Sequence, residues 1–428
     1  MKNRQRRGTG SLVNIFLVVF IDLLGFGLIL PLLPFYAGQY GASDFVVGLL
    51  ASSYALAQFI GAPLLGRLSD RYGRRPVLMI SIAGTALGFL ILGFADPLGR
   101  WLAGLPLENA SGEQIVALTN ATILGVMFVA RLLSGLTGGN ITVAQAYISD
   151  VTDAKNRAKG LGLIGAAFGL GFIIGPAMGG LLSQFGYAVP AFAAAGLATL
   201  NLIGIFLTLP ESLTAEIREK LAGQRRPLIS FTAMWGALSR PRVGPLLQIR
   251  LFYALAAALL QSMFTLWAKE QLNLDARSTS LLLAYLGVLS VVVQGGLIGP
   301  LTRRFSEPRL IFWTTLIFAL SMVAWALTPS VPVLVVVMIP MAFSSGVLNT
   351  VINAGISRVV APEEIGGALG TSAALESLSR IVAPAAGGWL LGSIGPWAPA
   401  VLAAIIMAWV VAFSWRRLIA QPEPAAAM

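Results

Sequence analysis

Four ionisable side chains lie deep inside long apolar runs of this 428-residue chain: Asp22, Arg131, Glu376 and Arg380. Each stands about ten or more residues from the end of its run, where a charge costs roughly 2.5–3.5 kcal/mol on insertion scales. Together they sum to zero charge. Groups so placed either brace a bundle as static ion pairs or mark the route of a proton, ion or substrate. The chain contains no His and no Cys. Proton chemistry therefore falls to carboxylates, and disulfides, thiolate metal sites and cysteine nucleophiles are excluded. Burial raises the proton affinity of an acid and a neighbouring Arg lowers it, while Arg itself stays charged. Asp22, Arg131 and Glu376 are thus nominated for proton coupling, with the proton gradient as energy source and no cofactor or metal expected.

A substrate wall in such a site is apolar with a few placed polar groups. In the first half of the chain the candidates are Phe26, Tyr54, Gln58, Asn140 and Gln145. The second half offers Gln261, Phe264, Trp267, Gln294, Asn349 and Asn353, with Glu376 and Arg380. Any one of these residue types also serves plain helix packing.

The elements that must position these groups follow from composition. At 57% hydrophobic and 11% charged, the chain carries more apolar surface than a soluble core hides. Twelve apolar runs, at about 12–36, 45–66, 77–95, 120–148, 160–182, 187–209, 245–268, 279–300, 310–328, 332–357, 367–391 and 396–415, approach or exceed the roughly 20 residues that cross a bilayer as helix. No ten-residue barrel alternation appears, so helices are expected. The first run is too long for a signal-peptide core and lacks a clear cleavage site, so it is expected to remain.

The net charge is +11. A twelve-crossing path gathers Lys2, Arg4, Arg6, Arg7, the arginines of 67–75, Lys155, Arg157, Lys159, Arg218, Lys220, Arg225, Arg226, Arg240, Arg242, Arg303, Arg304, Arg309, Arg358, Arg416 and Arg417 on one side, and leaves Arg100, Lys269 and Arg277 on the other. This asymmetry predicts cytoplasmic termini and attraction to membrane lipids rather than to nucleic acid.

One long polar stretch, about 211–244, separates six runs from six. The expected organisation is an N-terminal bundle (1–210), a cytoplasmic linker with amphipathic pieces (211–244) and a C-terminal bundle (245–428). The halves echo each other: "IIGPAMGG" at 173–180 aligns with "IVAPAAGG" at 381–388. Duplicated halves around a linker are a transporter architecture with midplane sites. The absence of G-x-x-x-x-G-K-[ST] removes a P-loop ATPase engine.

Several motifs carry a resemblance. "GRLSDRYGRRPVL" (66–78), "RLLSGLTGG" (131–139), "GFIIGPAMGG" (171–180) and "DLLGFGLILPLLP" (22–34) resemble, in order, motifs of the major facilitator superfamily and of its twelve-helix drug:proton antiporters, which include tetracycline exporters. The resemblance implies the major facilitator fold, an all-α membrane protein of twelve transmembrane helices in two pseudo-symmetric six-helix bundles. It also implies a non-enzymatic, proton-coupled exporter of amphiphilic small molecules, expected as a monomer in the bacterial inner membrane. The best-known tetracycline exporters carry acids inside the third and ninth spans and a His in the eighth. This chain has neither, which weighs against tetracycline as substrate. Organic-anion export, uptake or lipid movement remain alternatives on the same fold, with a non-transporting receptor further away.

Two motifs predict conformational parts. In 66–76, Gly66, Asp70, Arg71, Gly73 and Arg74 form either a topogenic basic loop or a latch, with Asp70 near the start of the eleventh span at Gly366–Gly367 and Arg74 reaching Asp150. In the fifth span Gly171, Gly175 and Gly179, with Pro176 and Gly180, expose a face without side chains. It is expected to act as a hinge or seam between the halves, echoed by Pro384 in the eleventh span.

Overall fold

The computed structural model of the chain describes residues 2–104, 112–152, 154–213, 231–361 and 364–420. Among these, all regular structure is helical, because hydrocarbon offers no water to backbone N–H and C=O groups and a helix pairs them internally. The main helices are α1 (Lys2–Ile29), α2 (Asp44–Tyr72), α3 (Arg74–Gly93), α4 (Gly112–Thr137), α5 (Asn140–Val151), α6 (Ala154–Leu182) and α7 (Ala188–Thr208). They continue as α8 (Phe231–Leu238), α9 (Gly244–Leu272), α10 (Ala276–Val292), α11 (Glu307–Ala326), α12 (Val331–Val359), α13 (Ile365–Ser393) and α14 (Ala398–Ser414). Of the expected linker, 214–230 lies outside the described residues, as does 105–111 of the loop after the third span.

Eleven described segments are long and apolar enough to cross a membrane. The expected run at 367–391 is helical too, as α13, and at 29 residues it is as long as any. It falls short in apolarity because Gly, Ala and Ser fill it and Glu376 and Arg380 stand at its middle. Several spans are interrupted; in the first, a turn at 30–32 separates α1 from a short helix, Leu33–Gly38. The fourth is α4 and α5, broken at Gly138–Gly139; the eighth is α10 followed by a π-helical turn, Val293–Leu297, and a short helix, Ile298–Arg304. Asp275 starts α10 by accepting the Ser278 N–H at 2.9 Å. Those Ser278 hydrogen bonds hold its carboxyl below the usual range, and the cap satisfies a donor that the first helical turn leaves open.

By contacts the chain divides into two compact units. Unit 1 comprises Met1–Ser43, Ser53–Ile229 and Asp275–Ala284; unit 2 comprises Asp44–Ser52, Ser230–Leu274 and Tyr285–Met428. Each unit thus takes one short segment from the other sequence half, so the units are not contiguous ranges. Within unit 1, α1 packs on α6 and α7, and α3 packs on α4 and α7. Unit 2 repeats the pattern: α9 packs on α13 and α14, and α11 on α12 and α14. The duplicated sequence therefore carries a duplicated pairing scheme.

The small-residue face of α6 closes inside unit 1, against α1. A Cβ on Gly175 would lie 2.7 Å from the Gly27 Cα, and one on Gly27 would lie 2.8 Å from the Gly171 oxygen. Backbones touch here, and no side chain fits between them. Of the residues expected to form a hinge or seam between the halves, Gly171, Gly175 and Gly179 thus lie along α1 of their own half, whereas Gly180 lies against Arg277 and Ser280 of the second half. In unit 2, Gly387 faces side chains, those of Met263 and Leu259 on α9, while the Pro384 backbone lies against Gly48 of α2. The physical reason is pairing geometry: a glycine stripe serves whichever helix lies along it, and here that helix is α1.

Candidate functional site

The mid-span chemistry of unit 1 is built around the break in the fourth span. Arg131, 3% exposed near the end of α4, places its guanidinium 4.3 Å from the centre of the Tyr54 ring. Gln58, one turn beyond Tyr54 on α2, donates to the Tyr54 hydroxyl at 3.2 Å and to the Gly138 oxygen at 2.9 Å. That second bond satisfies a carbonyl released by the helix break. Phe26 of α1 rests against Tyr54 with ring centres 5.3 Å apart. On the other side of the break, Asn140 opens α5 and is 2% exposed. Its carboxamide faces Asp22 of α1, but neither its N nor its O closes a well-formed hydrogen bond. Asp22 therefore sits beside the positive end of a half-helix.

Arg131 and Asp22 do not form the ion pair on which the expected coupling relied. The arginine is committed to the face of Tyr54, and the acid has an amide as its neighbour. Helix rotation decides this, since each residue projects from its own helix at an angle that hydropathy does not encode.

Unit 2 assembles a denser cluster. Arg250 of α9 has only 5% of its side chain exposed. It donates through Nη1 to Asn349 Oδ1 at 2.6 Å and through Nη2 to Glu376 Oε2. The other Glu376 oxygen accepts from Arg380 Nη2 at 2.7 Å, one turn along α13. One carboxylate thus bridges two guanidinium groups. Beside them, the Tyr253 hydroxyl lies 2.8 Å from Ser345 Oγ. Sequence reading missed Arg250. It stands only a few residues inside its run, where a charge resembles an ordinary helix-end residue; its apolar neighbours on both sides were the available signal.

The remaining candidates join neither cluster. Phe264 and Trp267 are fully enclosed, with Trp267 edge-on to Trp325 at 5.5 Å, so they are core of unit 2 rather than a substrate wall. Asn353 accepts from Ser372 at 3.3 Å, tying α12 to α13. Gln145 and Gln261 are exposed, and Gln294 is exposed within the π-helical turn.

The charged 66–76 stretch forms a hub within unit 1. Gly73 has φ 109°, a left-handed conformation that favours glycine, and it turns the chain from α2 into α3. Arg74, 4% exposed, donates to Asp70 Oδ1 at 2.5 Å, Ser69 Oγ at 2.7 Å and Asp150 Oδ2 at 3.0 Å. Asp150 also accepts from Ser212 at 3.0 Å. Arg71 lies outside this network, over the Tyr72 ring. Asp70, expected at the start of the eleventh span, has Arg74 as its partner. Glu211 caps α3 from a distance, accepting the Arg74 and Arg75 backbone N–H groups at 2.9 and 3.1 Å. An anion at a helix N-terminus is favourable, yet Glu211 escaped sequence reading because it lies 137 residues away.

Comparison with known proteins agrees with this architecture. The family model described as Major Facilitator Superfamily matches residues 15–306 and 249–427. The class C tetracycline resistance protein of Escherichia coli is 32% identical over 382 residues, covering 88% of this chain and 89% of its own length. Mouse solute carrier family 22 member 18 is 27% identical over 391 residues, 90% of either chain. In structure, the human organic anion transporter MFSD10 superposes with a TM-score of 0.67 at 21% identity, over 95% of this chain and 99% of its own. Duplicated helix pairing, mid-span charges in both units and these likenesses have one reading: the chain belongs to the Major Facilitator Superfamily and is an integral, multi-pass transporter of small molecules, not an enzyme.

Proposed function

We propose that the protein is a proton-coupled exporter of amphiphilic small molecules, exchanging protons for substrate by alternating access. The observation that carries this reading is Asp22: a carboxyl within a membrane span, beside a half-helix N-terminus and the buried Asn140 amide, and not in an ion pair with the only other mid-span charge of unit 1 that the sequence singled out, Arg131. A carboxyl so placed, with no cation paired to it, is a group through which proton exchange and alternating access can be coupled. Proton and substrate then each favour a different conformational state, and exchange follows from that difference. Similarity to a tetracycline resistance protein supports the export direction. The basic loop asymmetry supports cytoplasmic termini in a bacterial inner membrane, and the protein works as a monomer on proton-motive force without a cofactor.

The test is reconstitution into liposomes with an imposed pH gradient and a panel of amphiphilic compounds. Wild-type protein should accumulate substrate against its gradient, and Asp22→Asn should not, while still binding it, because the amide keeps shape and hydrogen bonding without a titratable proton. Undiminished pH-driven accumulation by Asp22→Asn would overturn the assignment.

A further inference from the structure

We infer that the Arg250–Glu376–Arg380 cluster of unit 2 recognises the anionic group of an organic carboxylate or sulfonate, with Arg380 as the contacting cation. The inference rests on the transport reading above, since it requires that small molecules reach these helices.

The charge count comes first. Two guanidinium groups share one carboxylate, so the cluster carries one positive charge more than it neutralises. It does so in the middle of α13, where lipid cannot hydrate an uncompensated ion. The hydrogen bonds then show which arginine carries the excess. Arg250 is held and enclosed: Nη1 holds Asn349, Nη2 holds Glu376, and its side chain is 5% exposed, so its one unpartnered donor, Nε, is buried away from a ligand. Glu376 gives one oxygen to each arginine. Arg380 spends Nη2 on Glu376, and 43% of its side chain is exposed. The rest of its fork makes no hydrogen bond and has N–H donors to offer. A planar guanidinium edge matches the paired oxygens of a carboxylate or sulfonate.

The other members have positioning roles. Arg250 draws Glu376 to one side and keeps it from closing over the whole Arg380 fork. Glu376 competes with the ligand for Arg380, which keeps the bound anion exchangeable rather than trapped. A ligand that lacks an anionic group gains nothing from this cluster.

The experiment uses the full-length protein purified in an uncharged detergent, with thermal unfolding and direct binding as readouts. The probes are a panel of aryl and alkyl carboxylates and sulfonates headed by 2-naphthoate, each paired with its neutral amide. At about 1 mM the anions should raise Tm and the amides should not, as expected for a site that discriminates by a charge-assisted bidentate contact. Arg380→Gln should lose the shift. Arg380→Lys, which keeps the charge and the fold but not the fork, should bind about tenfold more weakly. Glu376→Gln should bind several-fold more tightly, because the competitor is gone. Asp22→Asn should keep the shift while losing pH-driven accumulation, so failure of this inference is distinguishable from failure of the transport reading. Equal stabilisation by anion and amide across the panel, or an unchanged shift in both Arg380 variants, overturns the inference. So does stabilisation by phosphatidylglycerol that depends on Arg380 when no panel member stabilises, since a lipid headgroup would then hold the site.

Discussion

In unit 1 the mid-span acid and arginine live apart, Asp22 facing Asn140 and Arg131 lying over Tyr54. In unit 2 the acid Glu376 is clamped between Arg250 and Arg380. Both units use the same scheme of helix pairing, so the difference arises from side chains and not from architecture. A carboxyl beside an amide has oxygens to offer a proton. One that already bridges two cations has its oxygens occupied. Duplication of a six-helix unit therefore supplied two scaffolds, and we assign them different tasks: proton exchange in unit 1 and charge recognition in unit 2.

The largest expected effect separates these tasks. Proton release on substrate addition, followed with a pH dye in weakly buffered detergent solution, should vanish in Asp22→Asn and persist in Glu376→Gln. The opposite pattern would move the proton role into unit 2 and dissolve the contrast. Next in size is the energetic difference between the two arginines. Arg250→Met removes two hydrogen bonds of a buried cation and should cost about 2 kcal/mol of unfolding free energy. Arg131→Met removes a cation–π contact and should cost about 1 kcal/mol. Equal losses in denaturant unfolding would show that the two arginines are held alike.

The units also differ at the ends of their spans. Unit 1 closes the 66–76 turn with a buried hub, whereas the matching region of unit 2 has the Glu307–Arg358 pair at 3.1 Å, with 75% of the arginine side chain exposed. Asp150→Asn, which weakens the bonds to Arg74 and Ser212, should cost about 1.5 kcal/mol. Asp70, 41% exposed, should cost less when changed to Asn. Asp275→Ala removes the cap of α10, the segment that unit 1 takes from the second sequence half, and should cost about 1 kcal/mol. Because the folded carboxyl is held below its ordinary value, that contribution is present at neutral pH and declines as pH falls through the folded pKa; a wild-type and variant difference that grows on acidification would contradict it. Smallest of all, Arg358→Gln should change stability by less than about 0.5 kcal/mol, as for most exposed pairs.

Much of the fold is legible in composition and spacing alone. Run lengths set by bilayer thickness announce the helices, and mid-span charges flag Asp22, Arg131, Glu376 and Arg380 because their cost demands a reason. The lower apolarity of 367–391 is legible too, in its Gly, Ala and Ser residues and in the two charges, Glu376 and Arg380, at its middle. The glycine stripe of 171–179 declares close approach of another backbone, although nothing in the stripe says whose.

Tertiary structure decided the partners. It set Arg131 on Tyr54 instead of Asp22, joined Arg250 to a carboxylate 126 residues away, brought Glu211 to the start of α3, enclosed Trp267 in the core, and laid the glycine stripe along α1. The reason is common to all five. Hydropathy along a chain specifies that a helix crosses and roughly where it begins, but it carries no record of the neighbour. Which neighbour it touches, and at what rotation about its own axis, is set by interdigitation of side chains from distant segments.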